Sequence, residues 1–436
     1  MFLTALRLTD FRSYQTAELA LSPGVTLFLG LNGQGKTNLV EAVEYVATLN
    51  SHRVASDQPL VRRGCQQAVI QARLRAGRDD ERALAVDLEI NLGRPNKARL
   101  NKAPVRPRAV VGALRTVTFA PEDLTIATGD PSNRRAFIDA LCTTRWPRLT
   151  GVRADYDRAL RQRTALLKAL SGRGPRPAGP EAETTLAVWD ERLAVLGAEI
   201  VAARLQTVAD LAPRFTARYS AIAPIDHQAV VTYLSHAVPE WGRESGPWAV
   251  DQLAERYLAE IERRRPDELA RGQSLVGPHR DDLELTLADL PVKGYASHGE
   301  SWSVALGLRL ASLDLLRADD IEPVLLLDDV FAELDTTRRQ RLAETVAQTD
   351  QVLITAAVPE DVPWGLVSQT FTVSLGSVRP VDGDQGQTGN PVATGEMASV
   401  GDGEPEVLAE TLVEPDPADS VAPLTQDQEI TEVRGD

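Results

Sequence analysis

Cysteine is nearly absent from this chain of 436 residues: there are two, Cys65 and Cys142, far apart and without metal-binding spacing. That excludes a disulfide framework or a zinc ribbon and suits free, buried thiols in a reducing compartment. Long apolar runs are missing too; none approaches the roughly 20 residues needed to span a bilayer. The segment from Met1 to Arg7 has no basic stretch followed by an apolar one, so no secretory signal is expected. Internal repeats and helix-turn-helix patterns are likewise absent. These absences point to a soluble, cytosolic protein, with no membrane partner. Hydrophobic residues make up 43% of the chain, enough for a sizeable core, and the length suits two domains or one large elaborated one.

The net charge of −15 is unevenly spread. From Val378 to Asp436 there are fourteen acidic residues against Arg379 and Arg434, which leaves about −3 for everything before. This segment is rich in Gly, Pro, Glu and Asp and poor in aromatics, so it is expected to remain a disordered acidic tail. The preceding body is close to neutral and can carry strong local basic patches.

The most informative stretch is Gly30-Leu31-Asn32-Gly33-Gln34-Gly35-Lys36-Thr37, which fits G-x-x-x-x-G-K-[ST]. An apolar strand, Val25 to Leu29, precedes it, and Asn38 to Val43 opens a helix. Glycines let the backbone wrap phosphate oxygens, so that N–H groups and the helix N-terminus face negative charge. Lys36 would reach the β- and γ-phosphates, and Thr37 would offer a hydroxyl to Mg²⁺. A second half-site follows far downstream, where Val324 to Leu327 reads as a buried parallel strand ending in Asp328-Asp329. A carboxylate there can hold Mg²⁺, which assigns Asp328 to the metal and leaves Asp329 to polarise an attacking water. Upstream, Ser297-His298-Gly299-Glu300 precedes a helical face made by Val304, Leu308, Ala311 and Leu315. Ser297 and Gly299 form a second anion-binding device at a helix N-terminus. One nucleotide site has little use for two such devices, so Ser297 and Gly299 of one subunit are expected to close over the γ-phosphate held by another.

Residues 1–129 read as α/β, with strands over Phe2 to Leu8 and Ala83 to Ile90, and α/β character returns after about 268. The middle, 130–267, reads as helical, with a loop from Ser171 to Pro180 separating two helices. Two stretches are basic with no acidic residue inside. One carries Arg94, Lys97, Arg99, Lys102, Arg106 and Arg108; the other carries Arg158, Arg161 and Arg163. Either could meet nucleic-acid phosphates without reading bases.

Lys36 and Asp328 are separated along the chain by 328 − 36 = 292 residues, with the helical region between them. With that plan go Leu8 to Tyr14, Phe119 to Leu124, Gly129 to Arg135, Leu275 to Leu283 and Leu327 to Asp335, in collinear order. By these blocks the chain resembles the ABC-type, SMC-like ATPases of chromosome maintenance, and within them the RecF family of recombination mediators. The resemblance covers all but the tail. It implies an α/β P-loop ATPase head built from 1–129 and 268–377, an inserted mainly helical arm over 130–267, and the disordered acidic tail from 378 to 436. It also implies ATP and Mg²⁺ as ligands, an ATP-dependent homodimer that binds DNA at single-strand gaps and junctions, and weak DNA-stimulated hydrolysis that resets it. The implied partners are RecR and RecO, and functionally RecA, in the cytoplasm at the nucleoid. By the same analogy Arg12 and Asn38 join the nucleotide site of their own subunit. Ser297, Gly299 and Glu300 would act across the dimer, and Asp335 would lie at its seam. The chain departs from the pattern at Glu300, where the family has Gln, so Glu300 is expected to turn to its own helix or a basic partner. No histidine follows Ile354 as in transporter ATPases, which argues against a transporter subunit. The alternative is a monomeric P-loop phosphotransferase acting on a small molecule, which leaves Ser297, Gly299 and Asp335 without a task.

Overall fold

The strand that leads into the phosphate loop is completed by the far end of the chain. In the computed structural model, which describes residues 2–77, 80, 82–171, 179–223, 227–235 and 249–381, a six-stranded sheet runs Ser377–Pro380, Val367–Ser374, Gly24–Leu29, Gln351–Ala356, Val324–Asp328, Thr116–Phe119. All neighbours are parallel except the terminal hairpin. Val324–Asp328 and Gln351–Ala356 are buried at every residue, which is why both read as unbroken apolar runs.

A second six-stranded sheet is antiparallel, in the order Tyr14–Ala20, Phe2–Phe11, Gln67–Arg75, Ala83–Asn91, Lys97–Leu100, Ala103–Val105. Its strands tend to alternate buried and partly exposed residues, as Gln67–Arg75 does, so one face is apolar and the other more open to water. The apolar face closes over the helix Lys36–Thr48. Leu39, Val40, Val43 and Val46 pack there with Leu6, Leu8, Ile70 and Leu88, and with Phe28 and Leu353 from the parallel sheet. The helix that carries Lys36 and Thr37 is thus gripped between two sheets. On the other face of the parallel sheet lies a larger core of Leu27, Leu325, Leu327 and Ile354 with the helices Pro131–Arg145, Pro180–Ile222 and His298–Ala318.

The middle of the chain forms long helices, Leu149–Ser171, Pro180–Ile222 and Val250–Arg271, packed side by side. Between Ser171 and Pro180, residues 172–178 lie outside the described residues. Two features depart from the helical expectation for 130–267. A strand, Val230–Leu234, pairs antiparallel with Asp282–Leu287, burying Val231 and Tyr233 against the larger core. The helix Val250–Arg271 also runs past 267 and stops at Gly272, whose positive φ of 61° ends it. At the other end, the acidic segment does not begin at Val378. Leu375 and Gly376, both at positive φ, turn the chain so that Val378 pairs with Val373 in a hairpin. The rest of the expected tail, 382–436, lies outside the described residues. Cys142 is buried, its thiol pushed up to about 12 by burial, and Cys65 is also free.

Charge is buried where the long helices meet. Arg163 is wholly inaccessible. Its guanidinium donates to Asp190 and Glu268 at 2.6 Å each and to the Ser274 hydroxyl at 2.9 Å. Arg265 also pairs with Asp190. Arg163→Ala should destabilise the fold by roughly 3–5 kcal/mol in urea titrations, because buried Glu268 loses its cationic partner and buried Asp190 keeps only Arg265.

His279 gives a pH-dependent counterpart. The Tyr156 hydroxyl donates to its Nδ1 at 2.7 Å, and its Nε2 lies 3.3 Å from the Ser274 carbonyl, which fits a neutral ring protonated on Nε2. Burial pushes its pKa down to about 4; the Ser274 hydrogen bond opposes this, and Arg280, Arg135 and Arg163 reinforce it. The unfolded chain takes up that proton near pH 6.5. Its contribution to stability is therefore full above about 6.5 and lost as the pH falls towards about 4. A His279→Gln variant should show a shallower loss of stability than the parent between pH 7.5 and 5.5.

Candidate nucleotide-binding site

The phosphate loop is shaped by close backbone approaches. Gly35 adopts φ 111°, open to glycine but strained for other residues, and a Cβ there would lie 2.8 Å from the Ser13 hydroxyl. At Gly30 a Cβ would meet the Val373 carbonyl oxygen at 2.2 Å, so the neighbouring strand itself requires glycine. Other parts of the chain hold the loop from outside. The Tyr14 hydroxyl donates to the Gly35 carbonyl at 3.0 Å, the Asn38 amide to Ser13 Oγ at 2.9 Å, and the Leu375 N–H to Gln34 Oε1 at 2.8 Å. Lys36 is almost fully buried; its Nζ donates to the carbonyl of Leu31 at 3.3 Å and stands 3.9 Å from Asp329 Oδ2. Leu31, Asn32 and Gly33 complete the loop, with Leu31 strongly exposed.

Arg12 turns elsewhere. Its Nε donates to Glu41 at 2.8 Å and its Nη1 to the Pro59 carbonyl at 3.0 Å, and Glu41 is a wholly buried residue of the loop helix. Burial works against the Glu41 charge, yet hydrogen bonds from Arg12 and Ser51 and the charge of Arg53 hold its pKa below the usual carboxylate range. Arg12 thus braces the helix through Glu41, and among the described residues no hydrogen bond or ion pair joins its side chain to the phosphate loop.

The two aspartates arrive as the spacing requires. The Thr37 hydroxyl donates to Asp328 Oδ1 at 2.9 Å, and the Thr355 hydroxyl donates to the same oxygen at 2.7 Å. Asp329 takes a left-handed backbone, φ 50°, and its N–H donates to Thr355 Oγ1 at 2.8 Å. Asp328 is buried, whereas the Asp329 side chain is one-third exposed. Burial pushes the Asp328 carboxyl up; the Thr355 and Thr37 hydroxyls oppose this, and the Asp329 charge adds to it. A buried carboxylate, a threonine hydroxyl and an adjacent phosphate cradle are a donor set suited to Mg²⁺, an oxygen-seeking ion that keeps several waters. Thr355 was visible in the sequence only as the place where a histidine is missing. Its role needed the pairing that sets Thr355 opposite Asp328.

Ser297, Gly299, Glu300 and Asp335 form a separate group. Ser297 caps the helix His298–Ala318. Its N–H donates to Glu300 Oε2 at 2.7 Å, and its hydroxyl accepts the Glu300 N–H at 3.3 Å. Glu300 therefore turns to its own helix, and His227 Nε2 stands 3.4 Å from its other oxygen. The Ser297 contacts hold its pKa below the ordinary range. Asp335 caps the helix Thr336–Ala347 and is half exposed. Among the described residues no hydrogen bond or ion pair joins this group to Lys36, Thr37, Asp328 or Asp329.

The basic stretches divide. Arg94, Lys97, Arg99, Lys102, Arg106 and Arg108 are all exposed, and Lys97, Arg99 and Arg106 line a groove of about 590 Å³ floored by Val69 and Leu88. Lys97 lies 3.4 Å from Glu89. Arg158 and Arg161 are exposed as well. Arg163 is a correction: as a DNA-contact candidate it fails, because the helix turns it inward to buried carboxylates. His279 to Asp282 form a structural turn. Asp281 accepts the hydroxyls of Tyr233 and Tyr257, and Asp282 pairs with Arg134 through two bonds of 2.8 Å.

Thr355→Val removes the hydroxyl that fixes both aspartates. It should slow ATP turnover about tenfold, or roughly 1.4 kcal/mol, with nucleotide affinity held within about twofold. Thr355→Ser should retain most of the rate; steady-state kinetics with nucleotide titration measure both.

Comparison with known proteins agrees with this geometry. The family model described as the RecF/RecN/SMC N terminal domain matches residues 2–363. The DNA replication and repair protein RecF of Cutibacterium acnes is 54% identical over 392 residues, spanning 88% of this chain and 99% of that protein. That of Kineococcus radiotolerans is 55% identical over 398 residues, spanning 88% of this chain and all of that one. Among solved structures, the recombination mediator protein RecF with ATP superposes with a TM-score of 0.77 at 25% identity, covering 87% of this chain and 97% of that one. A phosphate loop facing a distant aspartate pair, on a head interrupted by helices, carries the same conclusion as these matches: the chain belongs to the RecF family of SMC-like ABC ATPases.

Proposed function

We propose that this chain is an ATP-driven DNA-binding protein of replication and recombinational repair, whose product is a timed clamp rather than a changed metabolite. The observation that carries the reading is the separation of two anion-binding devices. Lys36, Thr37, Asp328 and Asp329 gather at one phosphate loop, while Ser297, Gly299 and Asp335 stand apart, exposed or half exposed, with no nucleotide-site residue of their own chain bonded to them. Two copies placed head to head would bring the second device of each onto the nucleotide of the other.

In this reading the loop N–H groups and Lys36 bind the triphosphate of ATP, and Thr37 and Asp328 hold Mg²⁺, which would neutralise charge that builds on the phosphates. Asp329 accepts a hydrogen bond from the attacking water, and Arg12 and Asn38 join the nucleotide site of their own subunit from the edge of the loop helix. Hydrolysis is slow, stimulated by DNA, and opens the homodimer. The exposed arginines and lysines from Arg94 to Arg108, with Arg158 and Arg161, supply sequence-independent contacts to DNA phosphates at single-strand gaps and their duplex junctions. The head takes the chain up to about 129 and from Gly272 through the hairpin strand Ser377–Pro380, with the arm between. RecR and RecO are the partners through which RecA is placed on the gap, in the cytoplasm at the nucleoid. No helix among the described residues is long and apolar enough to cross a membrane.

Light scattering on the Asp329→Asn variant tests this. Mg²⁺-ATP should convert monomer to dimer, Ser297→Arg should abolish the conversion, and gapped duplex DNA should bind the dimer. A protein that binds ATP yet stays monomeric would overturn the clamp and favour phosphotransfer to a small molecule.

A further inference from the structure

The first turn of the helix His298–Ala318 and the turn around Asp335 belong to different segments, yet one side chain holds both. Arg338 lies in the first turn of the helix Thr336–Ala347, and its backbone N–H donates to Asp335 Oδ1 at 2.9 Å. Its guanidinium pairs with the same Asp335 carboxylate through Nη1. From there it crosses to the other helix, where Nη2 donates to the Gly299 carbonyl at 2.9 Å and Nε to Ser303 Oγ at 2.9 Å. Ser303 in turn donates its hydroxyl to the Gly299 carbonyl at 3.1 Å and is wholly buried. The Arg338 side chain is 11% exposed, against 52% for Asp335. A methyl group on Gly299 would sit 3.4 Å from Nη2, so the guanidinium packs directly against this turn.

We propose that Arg338 is a positioning residue that locks the Asp335 turn and the Ser297–Gly299 helix start into one rigid unit, so that both reach the partner's nucleotide together. The inference rests on the reading of Ser297 and Asp335 as acting across a dimer. The planar fork of arginine is what makes it possible. Three donors point to a carboxylate, a carbonyl and a hydroxyl in fixed directions, which a lysine ammonium on a flexible stem cannot reproduce. Tying the two turns together before association also lowers the ordering cost that dimerisation must meet.

The test uses the full chain with Asp329→Asn as parent, and adds Arg338→Lys, Ser303→Ala and their combination. In the monomer, hydrogen exchange is followed at the amides of residues 297–303 and 333–338. The lock predicts that Arg338→Lys speeds exchange in both segments together, and that adding Ser303→Ala brings little further change. Exchange that rises in one segment alone, or in neither, overturns it. Dimerisation with Mg²⁺-ATP is then measured by light scattering, alongside affinity for a fluorescent ATP analogue and the melting temperature. Arg338→Lys should weaken the dimer about tenfold with nucleotide affinity held within about twofold. Parallel losses of melting temperature, nucleotide affinity and dimer would make Arg338 a structural tie only and overturn the inference. If the parent itself fails to dimerise, the clamp reading falls, while the exchange data still decide whether the lock exists.

Discussion

One carboxylate oxygen, Oδ1 of Asp328, accepts the hydroxyls of both Thr37 and Thr355. Three stretches of chain meet at that atom: the loop helix, the strand Val324–Asp328 and the strand Gln351–Ala356. The meeting depends on sheet order. Gln351–Ala356 lies between the strand leading to the phosphate loop and the strand ending in Asp328, and its Thr355 registers against Phe28 on one side and Asp328 on the other. Parallel pairing across such sequence distance carries a large loop-closure cost. Here it is offset by strands buried on both faces and by the second sheet closing over Lys36–Thr48.

Charge is handled differently around the long helices and at the nucleotide site. Around the long helices, Arg163 with Asp190 and Glu268, and Arg204 with Asp139, are buried and fully engaged. Such pairs add little net stability over apolar packing, but an unpaired partner is costly, so they penalise misaligned helix registers. At the nucleotide site, by contrast, charge is left available. Asp329 is one-third exposed, and Lys36 makes long contacts with loop oxygens that a phosphate can replace. The first arrangement fixes geometry; the second keeps capacity for a ligand.

The second anion device follows from the same helix physics as the first, an N-terminus presenting its dipole, but only the second carries a side-chain cap. The capping box turns Glu300 inward, so a carboxylate that would repel a phosphate is spent on the helix's own first turn. In the proposed lock, Arg338 ties that turn to the Asp335 turn.

The phosphate loop, the buried strand ending in Asp328-Asp329, the capped helix after Ser297 and the acidic character of the chain's end were all legible in the residues, because each depends on local pattern: glycine placement, apolar runs, caps and composition. Thr355, Arg338, Tyr14 and the inward turn of Arg163 were not, because each acquires its role from a neighbour far away in sequence. Arg163 shows the limit plainly: in the chain it is one member of a basic stretch, and only the packing of Leu149–Ser171 against two other helices directs it to carboxylates. The strand Val230–Leu234 exposes the same gap, since its partner Asp282–Leu287 lies beyond a helix of 22 residues. Local sequence thus determined which groups could hold a phosphate and a metal, through backbone conformation and charge that neighbouring residues set. Tertiary structure alone decided which of those groups share a site and which face solvent, because hydrogen bonds and burial depend on distance in space.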